Sequence, residues 1–128
     1  MDIREILKSS KTIAIVGMSD NPTKASNEVA QYLMPYYIII PVNPNHREIL
    51  GQTCYPDLES IPVPVDIVDV FQRSENVLPF VAPSIAIGAR CFWMQLGISN
   101  QEAASRLEEA DVFVVQDKCT KIEHMRYC

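Results

Sequence analysis

Short apolar runs alternate with helical patterns along most of this chain of 128 residues. Five runs rich in branched apolar residues have the length of buried strands, and they span residues 12–16, 37–42, 65–71, 90–94 and 112–115. Because these runs are apolar almost throughout rather than alternating, both faces of the sheet that they form should be covered. The pattern therefore predicts a parallel sheet between layers of helices.

Helical spacing of apolar residues fills most of the gaps between these runs. Asp2 and Glu5 form a capping box for a first helix, and a second helix is predicted over residues 26–34. A helix over residues 74–89 should be kinked or restarted by its prolines, and Ser99 with Glu102 should open the next one. Residues 45–64 are predicted to be irregular, with one helical turn, and residues 117–128 to be a polar tail with one amphipathic turn.

Strands that alternate with helices in this way define the α/β class, and the most economical arrangement is a single domain over residues 1–128. Right-handed crossovers make the sheet doubly wound and Rossmann-like, and the strand order 3-2-1-4-5 is expected. Ligands of such folds bind beyond the carboxyl ends of the strands where the strand order reverses, which that order places between the first and fourth strands. The loops that follow strands are therefore the places to search for chemistry.

Composition and charge argue against several classes of function. The formal net charge of -5 and the pI near 4.9 are unfavourable for nucleic-acid binding, which relies on a basic surface. No apolar run reaches the length of a membrane helix and the first residues do not resemble a signal peptide, so a cytoplasmic protein is expected. The four cysteines and two histidines lack the spacing of a metal site, and no metal is expected. The cysteines are predicted to be reduced, with Cys91 buried in its strand.

Cations concentrate in the loops after strands. Five of the 11 lysines and arginines lie in or beside these loops, at positions 24, 47, 73, 118 and 121. The first loop, GMSDNPTKAS, leads into a helix amino terminus, where free amides and the helix dipole favour phosphate. It lacks the second and third glycines of the dinucleotide fingerprint, and no acidic residue ends the second strand. A nicotinamide-dependent oxidoreductase is therefore disfavoured.

Five segments in register resemble the small stand-alone coenzyme A-binding proteins, whose domain also forms the amino-terminal part of the succinyl-CoA synthetase α subunit. The segments read GMSDNPTKAS, PVNPN, VDIVDVFQRSE, WMQLGISNQEAA and DKCTKIEH, and they run from about Lys11 to Glu123. The chain departs from the family pattern at Tyr36, Gln72 and Lys118. The resemblance implies a small-molecule ligand, coenzyme A or an acyl-CoA, as the cofactor, and it leaves any protein partner unknown.

The resemblance also implies a set of cofactor-binding residues. The nucleotide phosphates would be held by Gly17, Met18, Ser19, Lys24 and Ser26. The adenosine part would be faced by Val42, Asn43 and Pro44. The cleft after the third strand would be bordered by Phe71 and Arg73, and the pantetheine arm by Met94, Gln95, Leu96 and Gly97.

The first hypothesis is non-catalytic binding, because the synthetases of this family need a further domain with a phosphorylatable histidine and a second subunit, which this chain does not contain; no catalytic residue is assigned. The alternative is an enzyme that acts on a CoA thioester or a thiol through Cys119, whose neighbours Lys118 and Lys121 favour a thiolate. Trp93 is expected in the core, Asp69 in a strand-edge or capping hydrogen bond, and His124 at the surface.

Overall fold

A five-stranded parallel sheet lies at the centre of the computed structural model, which describes residues 1–128. The strands are β1 (Thr12–Val16), β2 (Ile38–Val42), β3 (Glu48–Ile49), β4 (Gln52–Thr53), β5 (Ile67–Val70), β6 (Cys91–Met94) and β7 (Phe113–Val115). The helices are α1 (Ile3–Ser9), α2 (Ala25–Leu33), α3 (Val81–Ala86), α4 (Gln101–Glu109) and α5 (Thr120–Tyr127). All five predicted strands are present, and β3 and β4 form a separate small hairpin.

The sheet has the order β2-β1-β5-β6-β7, and every pair of neighbours is parallel. This confirms the α/β, Rossmann-like fold class. In detail, the third main strand, β5, lies beside β1 instead of beyond β2, where the predicted order 3-2-1-4-5 had put it. The outer edge of β2 is already occupied, because Tyr55 bridges Val42 and its amide donates to the Pro41 carbonyl at 3.0 Å. The strand order therefore reverses between β1 and β5, not between the first and fourth strands.

Two apolar layers cover the sheet, one on each face. Successive residues of a strand point to opposite faces, so Ile13 and Ile15 join one buried cluster while Ala14 and Val16 join the other. The first cluster packs under α1 and α2, and α5 contacts both of these helices. The second cluster packs under α3 and α4, which contact each other. None of the helices combines the length and apolar character that crossing a membrane requires.

Three local predictions were wrong, and a fourth was right about the interruption of its helix. The stretch after β2 contains the β3–β4 hairpin instead of a helical turn, and α4 is capped by Asn100, whose side chain accepts from the Ala103 amide at 3.0 Å, instead of by Ser99. The helix predicted over residues 74–89 is interrupted and restarted, as expected from its prolines, because two 3-10 turns within residues 74–80 precede an α-helix that covers only Val81–Ala86. The predicted polar tail contains α5, an eight-residue helix.

Candidate ligand-binding cleft at the carboxyl edge of the sheet

The first loop, residues 17–26, is folded tightly between β1 and α2. Gly17 has φ +80°, and a Cβ atom there would lie 2.7 Å from the Phe71 carbonyl oxygen, so only glycine lets β1 and β5 end this close together. The Ser19 amide donates to the Ser26 hydroxyl at 2.9 Å, and the Asn43 side chain donates to the Met18 carbonyl at 2.9 Å. These bonds fix the loop ahead of the amino terminus of α2.

A cleft of about 650 Å³ opens at the carboxyl edge of the sheet, beside this loop. Its lining comes from α2, from the segments after β5 and β6, and from the start of α5, and it is Ala25, Val29, Phe71, Gln72, Arg73, Ser74, Glu75, Gln95, Leu96, Gly97, Ile98, Cys119 and Ile122. The first residue of α2 is part of this lining, so the helix amino terminus reaches the cleft. The volume is in the range of small-molecule sites.

Hydrogen bonds hold the segment after β6 in place. The Gly97 amide donates to the Asp117 carboxylate at 2.6 Å, and the Asp117 amide donates to the Ile98 carbonyl at 3.0 Å. Asp117 has φ +57°, in the left-handed region that non-glycine residues seldom occupy. The Ser99 amide donates to the Ser74 hydroxyl at 3.1 Å, which joins this segment to the one after β5. The walls of the cleft are therefore set before any ligand arrives.

A buried polar network lies under the cleft. Asp69 in β5 is completely buried, and its carboxylate accepts from the side-chain amide of Gln95 and, at 2.9 Å, from the hydroxyl of Thr120. Burial raises the pKa of Asp69 to about 7, against the two hydrogen bonds, which lower it. Asp69 was predicted to serve a strand edge or a cap; it instead links a cleft-lining residue after β6 to the first turn of α5.

The aromatic side chains at α5 lie away from the cleft. His124 is buried against Tyr32, Tyr36 and Tyr37, and its Nδ1 lies 2.8 Å from the Tyr32 hydroxyl. Because His124 is buried, the expectation of a surface histidine was wrong. The same burial lowers the pKa of His124 by desolvation. Trp93 is fully buried as predicted, and its indole N–H donates to the Lys118 carbonyl at 2.7 Å, which fixes the chain just before Cys119.

The cofactor-binding residues predicted from sequence fall into two groups. The cleft lining includes Phe71, Arg73, Gln95, Leu96 and Gly97. The others lie outside that lining, on the first loop, after β2 or at the end of β6, and are Gly17, Met18, Ser19, Lys24, Ser26, Val42, Asn43, Pro44 and Met94. The side chains of Met18, Val42 and Met94 are buried in the core, so only their backbone atoms could meet a ligand. Lys24 is exposed at the start of α2 and has no capping bond.

Sequence reasoning missed much of the lining of the cleft. The residues not assigned to the site were Ala25, Val29, Gln72, Ser74, Glu75, Ile98 and Ile122, and Cys119 entered only through the alternative hypothesis. Ser74 directly follows Arg73, so its place could have been read from the same loop. The place of Ile122 could not be predicted from the sequence. The buried face of α5 is polar, with Thr120, Glu123 and His124, so the segment shows no apolar helical pattern.

The order of the strands and the position of the cleft identify a doubly wound α/β domain with a cleft at the carboxyl edge of the sheet. The chain belongs to the CoA binding domain family, whose model matches residues 11–125. It is 44% identical over 125 residues to the uncharacterized protein YneT of Bacillus subtilis, an alignment that covers 96% of this chain and 92% of that protein. The family resemblance inferred from the five segments is thereby confirmed.

Two further proteins are similar to this chain. A hypothetical protein from Pyrococcus horikoshii superposes with a TM-score of 0.95 and 38% sequence identity, covering 98% of this chain and 89% of that one. A stretch of 58 residues is 38% identical to the ADP-forming acetate–CoA ligase I of Archaeoglobus fulgidus. That stretch is 44% of this chain but 8% of the ligase, so it relates the two proteins over one small region.

Proposed function

We propose that the protein binds coenzyme A or an acyl-CoA in the cleft and performs no chemistry on it alone. The observation that carries the proposal is the contact between an apolar cleft and the amino terminus of α2, which meet at Ala25. Coenzyme A has two matching parts, because its phosphates suit a helix amino terminus and its pantetheine arm suits a cleft lined largely by apolar side chains. Membership of the CoA binding domain family supports this choice of ligand.

The first loop supplies the phosphate end of this proposal. Lys24 is exposed, makes no ion pair, and stands where the dipole of α2 is positive. Arg73 is exposed and lines the cleft on the segment after β5. The hydroxyl of Ser26 already accepts from the Ser19 amide, so we assign it to the shape of the loop as much as to the ligand.

The chemistry of the lining supports binding without turnover. Of the lining residues, those with acidic, basic or nucleophilic side chains beyond simple hydroxyls are Arg73, Glu75 and Cys119. Asp69 is completely buried and is not part of the lining, and its two carboxyl oxygens are hydrogen-bonded to Gln95 and Thr120. A general base must lie within hydrogen-bond reach of the proton that it removes, and Asp69 cannot reach a ligand in the cleft unless this network rearranges.

Calorimetry at low salt tests the proposal with a charge variant and a matched control. Coenzyme A should bind and NAD should not, and Lys24→Ala should weaken coenzyme A roughly 10- to 150-fold, since a charged hydrogen bond is typically worth ~1.5–3 kcal/mol. The control is Lys11→Ala, an exposed lysine just before β1 at the opposite edge of the sheet, which should change nothing. Equal binding of NAD and coenzyme A, or full affinity in Lys24→Ala, would show that the phosphates lie elsewhere.

One observation favours the alternative, an enzyme that acts on a CoA thioester or a thiol. Cys119 lines the cleft, is partly exposed and immediately precedes α5. A thiol at this place could meet the sulfur end of the pantetheine arm. A direct assay of thioester hydrolysis distinguishes binding without turnover from turnover that depends on the thiol.

A further inference from the structure

Two large aliphatic side chains in the cleft are left more than half exposed. Leu96, after β6, is 65% exposed, and Ile122, on α5, is 52% exposed. Both line the same cleft, yet neither belongs to the two apolar clusters of the core or packs against them. These two side chains therefore do not stabilise the core of the free protein, and a ligand that covered them would gain free energy from burying their apolar surface.

Charged side chains are few in the lining of the cleft, and they come from one segment. The charged lining residues, Arg73 and Glu75, both lie on the segment after β5. The segment after β6 and α5 contribute only uncharged residues, namely Gln95, Leu96, Gly97, Ile98, Cys119 and Ile122. Lys121 precedes Ile122 but has its ammonium group 5.7 Å from the centre of the Tyr32 ring and is not part of the lining. The part of the lining that contains Leu96 and Ile122 is thus uncharged, and Lys118, which is exposed just before Cys119, lies outside the lining.

These two observations distinguish among ligands that share the coenzyme A moiety. Free coenzyme A ends in a thiol, so beyond its pantetheine arm, which the resemblance places along Leu96, it has no alkyl group to cover Ile122. A dicarboxylic acyl group would bring an anion into an uncharged, apolar region, where losing its hydration is costly. A plain alkyl chain attached to the sulfur would cover both side chains at no such cost.

Resting on the proposed function, we propose that the cleft selects thioesters with an uncharged alkyl acyl group over free coenzyme A and over dicarboxylic acyl-CoA. The acyl chain lies between the segment after β6 and α5. Fully burying a methylene strengthens binding roughly fourfold, and a chain that remains partly exposed gains roughly twofold per methylene. Butyryl-CoA should therefore bind about 4- to 16-fold more tightly than acetyl-CoA.

The experiment is calorimetry on the full chain with coenzyme A and its acetyl, butyryl, hexanoyl and succinyl thioesters. We expect affinity to rise from acetyl to hexanoyl and succinyl-CoA to bind at least about tenfold more weakly than butyryl-CoA. The ratio of butyryl-CoA to coenzyme A affinity should fall towards one in Ile122→Ser. It should be kept in Met125→Ser, the matched control, because Met125 is 63% exposed on the same helix but outside the cleft.

The outcomes separate this inference from the proposed function. If coenzyme A and all its thioesters bind with one affinity, the inference is overturned and the proposed function stands. If succinyl-CoA binds as tightly as butyryl-CoA, or if Met125→Ser loses the chain-length preference together with Ile122→Ser, the acyl group lies elsewhere and the inference is again overturned. If none of the ligands binds, the proposed function fails and the inference fails with it.

Discussion

Replacing Asp69 by asparagine should flatten the pH dependence of the free energy of unfolding between about pH 4 and pH 8. Burial raises the pKa of Asp69 from 3.8 to about 7, so the folded protein holds the proton in a range where the unfolded chain releases it. The stability that comes from this proton is fully present below about pH 4. It decreases as the pH rises and is lost once the pH passes about 7 in the folded state. Asparagine is neutral over the whole pH range, so the variant has no such pH-dependent contribution to lose.

The size of the effect follows from the two pKa values. The difference between 3.8 and about 7 corresponds to a loss of up to about 4 kcal/mol across the range. Asparagine can still accept from Gln95 and donate to Thr120, but the Thr120 hydroxyl then needs another acceptor, at a constant cost of roughly 1–3 kcal/mol. The difference in slope between the two proteins is therefore the informative quantity, because this constant cost does not affect it.

Urea denaturation at several pH values measures that slope. His124, whose lowered pKa makes stability fall as the pH drops below about 6.5, is present in both proteins, so its opposite contribution cancels in the difference. The control is Asp57→Asn, at an exposed turn where the new side chain can still accept from the Ser60 amide. A difference between wild type and Asp69→Asn that stays constant from about pH 4.5 to pH 8 would refute the reasoning.

Two further predictions concern the carboxyl edge of the sheet. Gly17→Ala should lower the free energy of unfolding by roughly 2–5 kcal/mol, because alanine would be strained at this positive φ and its Cβ would clash with the Phe71 carbonyl. Gly88→Ala, at φ +74° in open space, should cost only the backbone strain of roughly 1–3 kcal/mol. Urea denaturation measures both variants, and equal losses would contradict the clash. The isolated protein should not hydrolyse acetyl- or succinyl-CoA above background; hydrolysis that disappears in Cys119→Ala would instead favour the alternative enzyme.

The core was predictable because parallel strands buried on both faces give uninterrupted apolar runs. Cys91 and Trp93 in β6 are wholly buried, as their run indicated, and each main strand lies within the stretch predicted for it. The capping box at the first helix is also confirmed in part, since Asp2 accepts from the Glu5 amide at 2.8 Å. These features depend on residues close together in the chain, where burial and capping are expressed directly in the choice of side chain.

The features that failed depend on distant residues. β5 pairs with β1 while Tyr55 bridges the outer edge of β2, and no local pattern in the sequence indicates either contact. The helix α5 buries polar side chains, so its pattern resembled that of a tail. The network of Asp69 joins three separate segments, and a single aspartate inside an apolar run carries no sign of its partners. For the same reason the first-loop motif was visible in the sequence while the α5 side of the cleft was not.

Two departures from local preference, the positive φ of Asp117 and the burial of Asp69, lie beside the cleft, as is common at functional sites. Leu50 and Asp111 also have positive φ, but they lie at the tip of the β3–β4 hairpin and just beyond the end of α4, where such turns are ordinary. Asp117 and Asp69 have no such local reason, and both hold residues that line the cleft. If burying Asp69 serves to position Gln95, then Asp69→Asn should become more stable relative to wild type as the pH rises towards and above about 7, and it should also bind coenzyme A less tightly. Tighter or unchanged binding by that variant would instead mean that the buried acid serves the core alone.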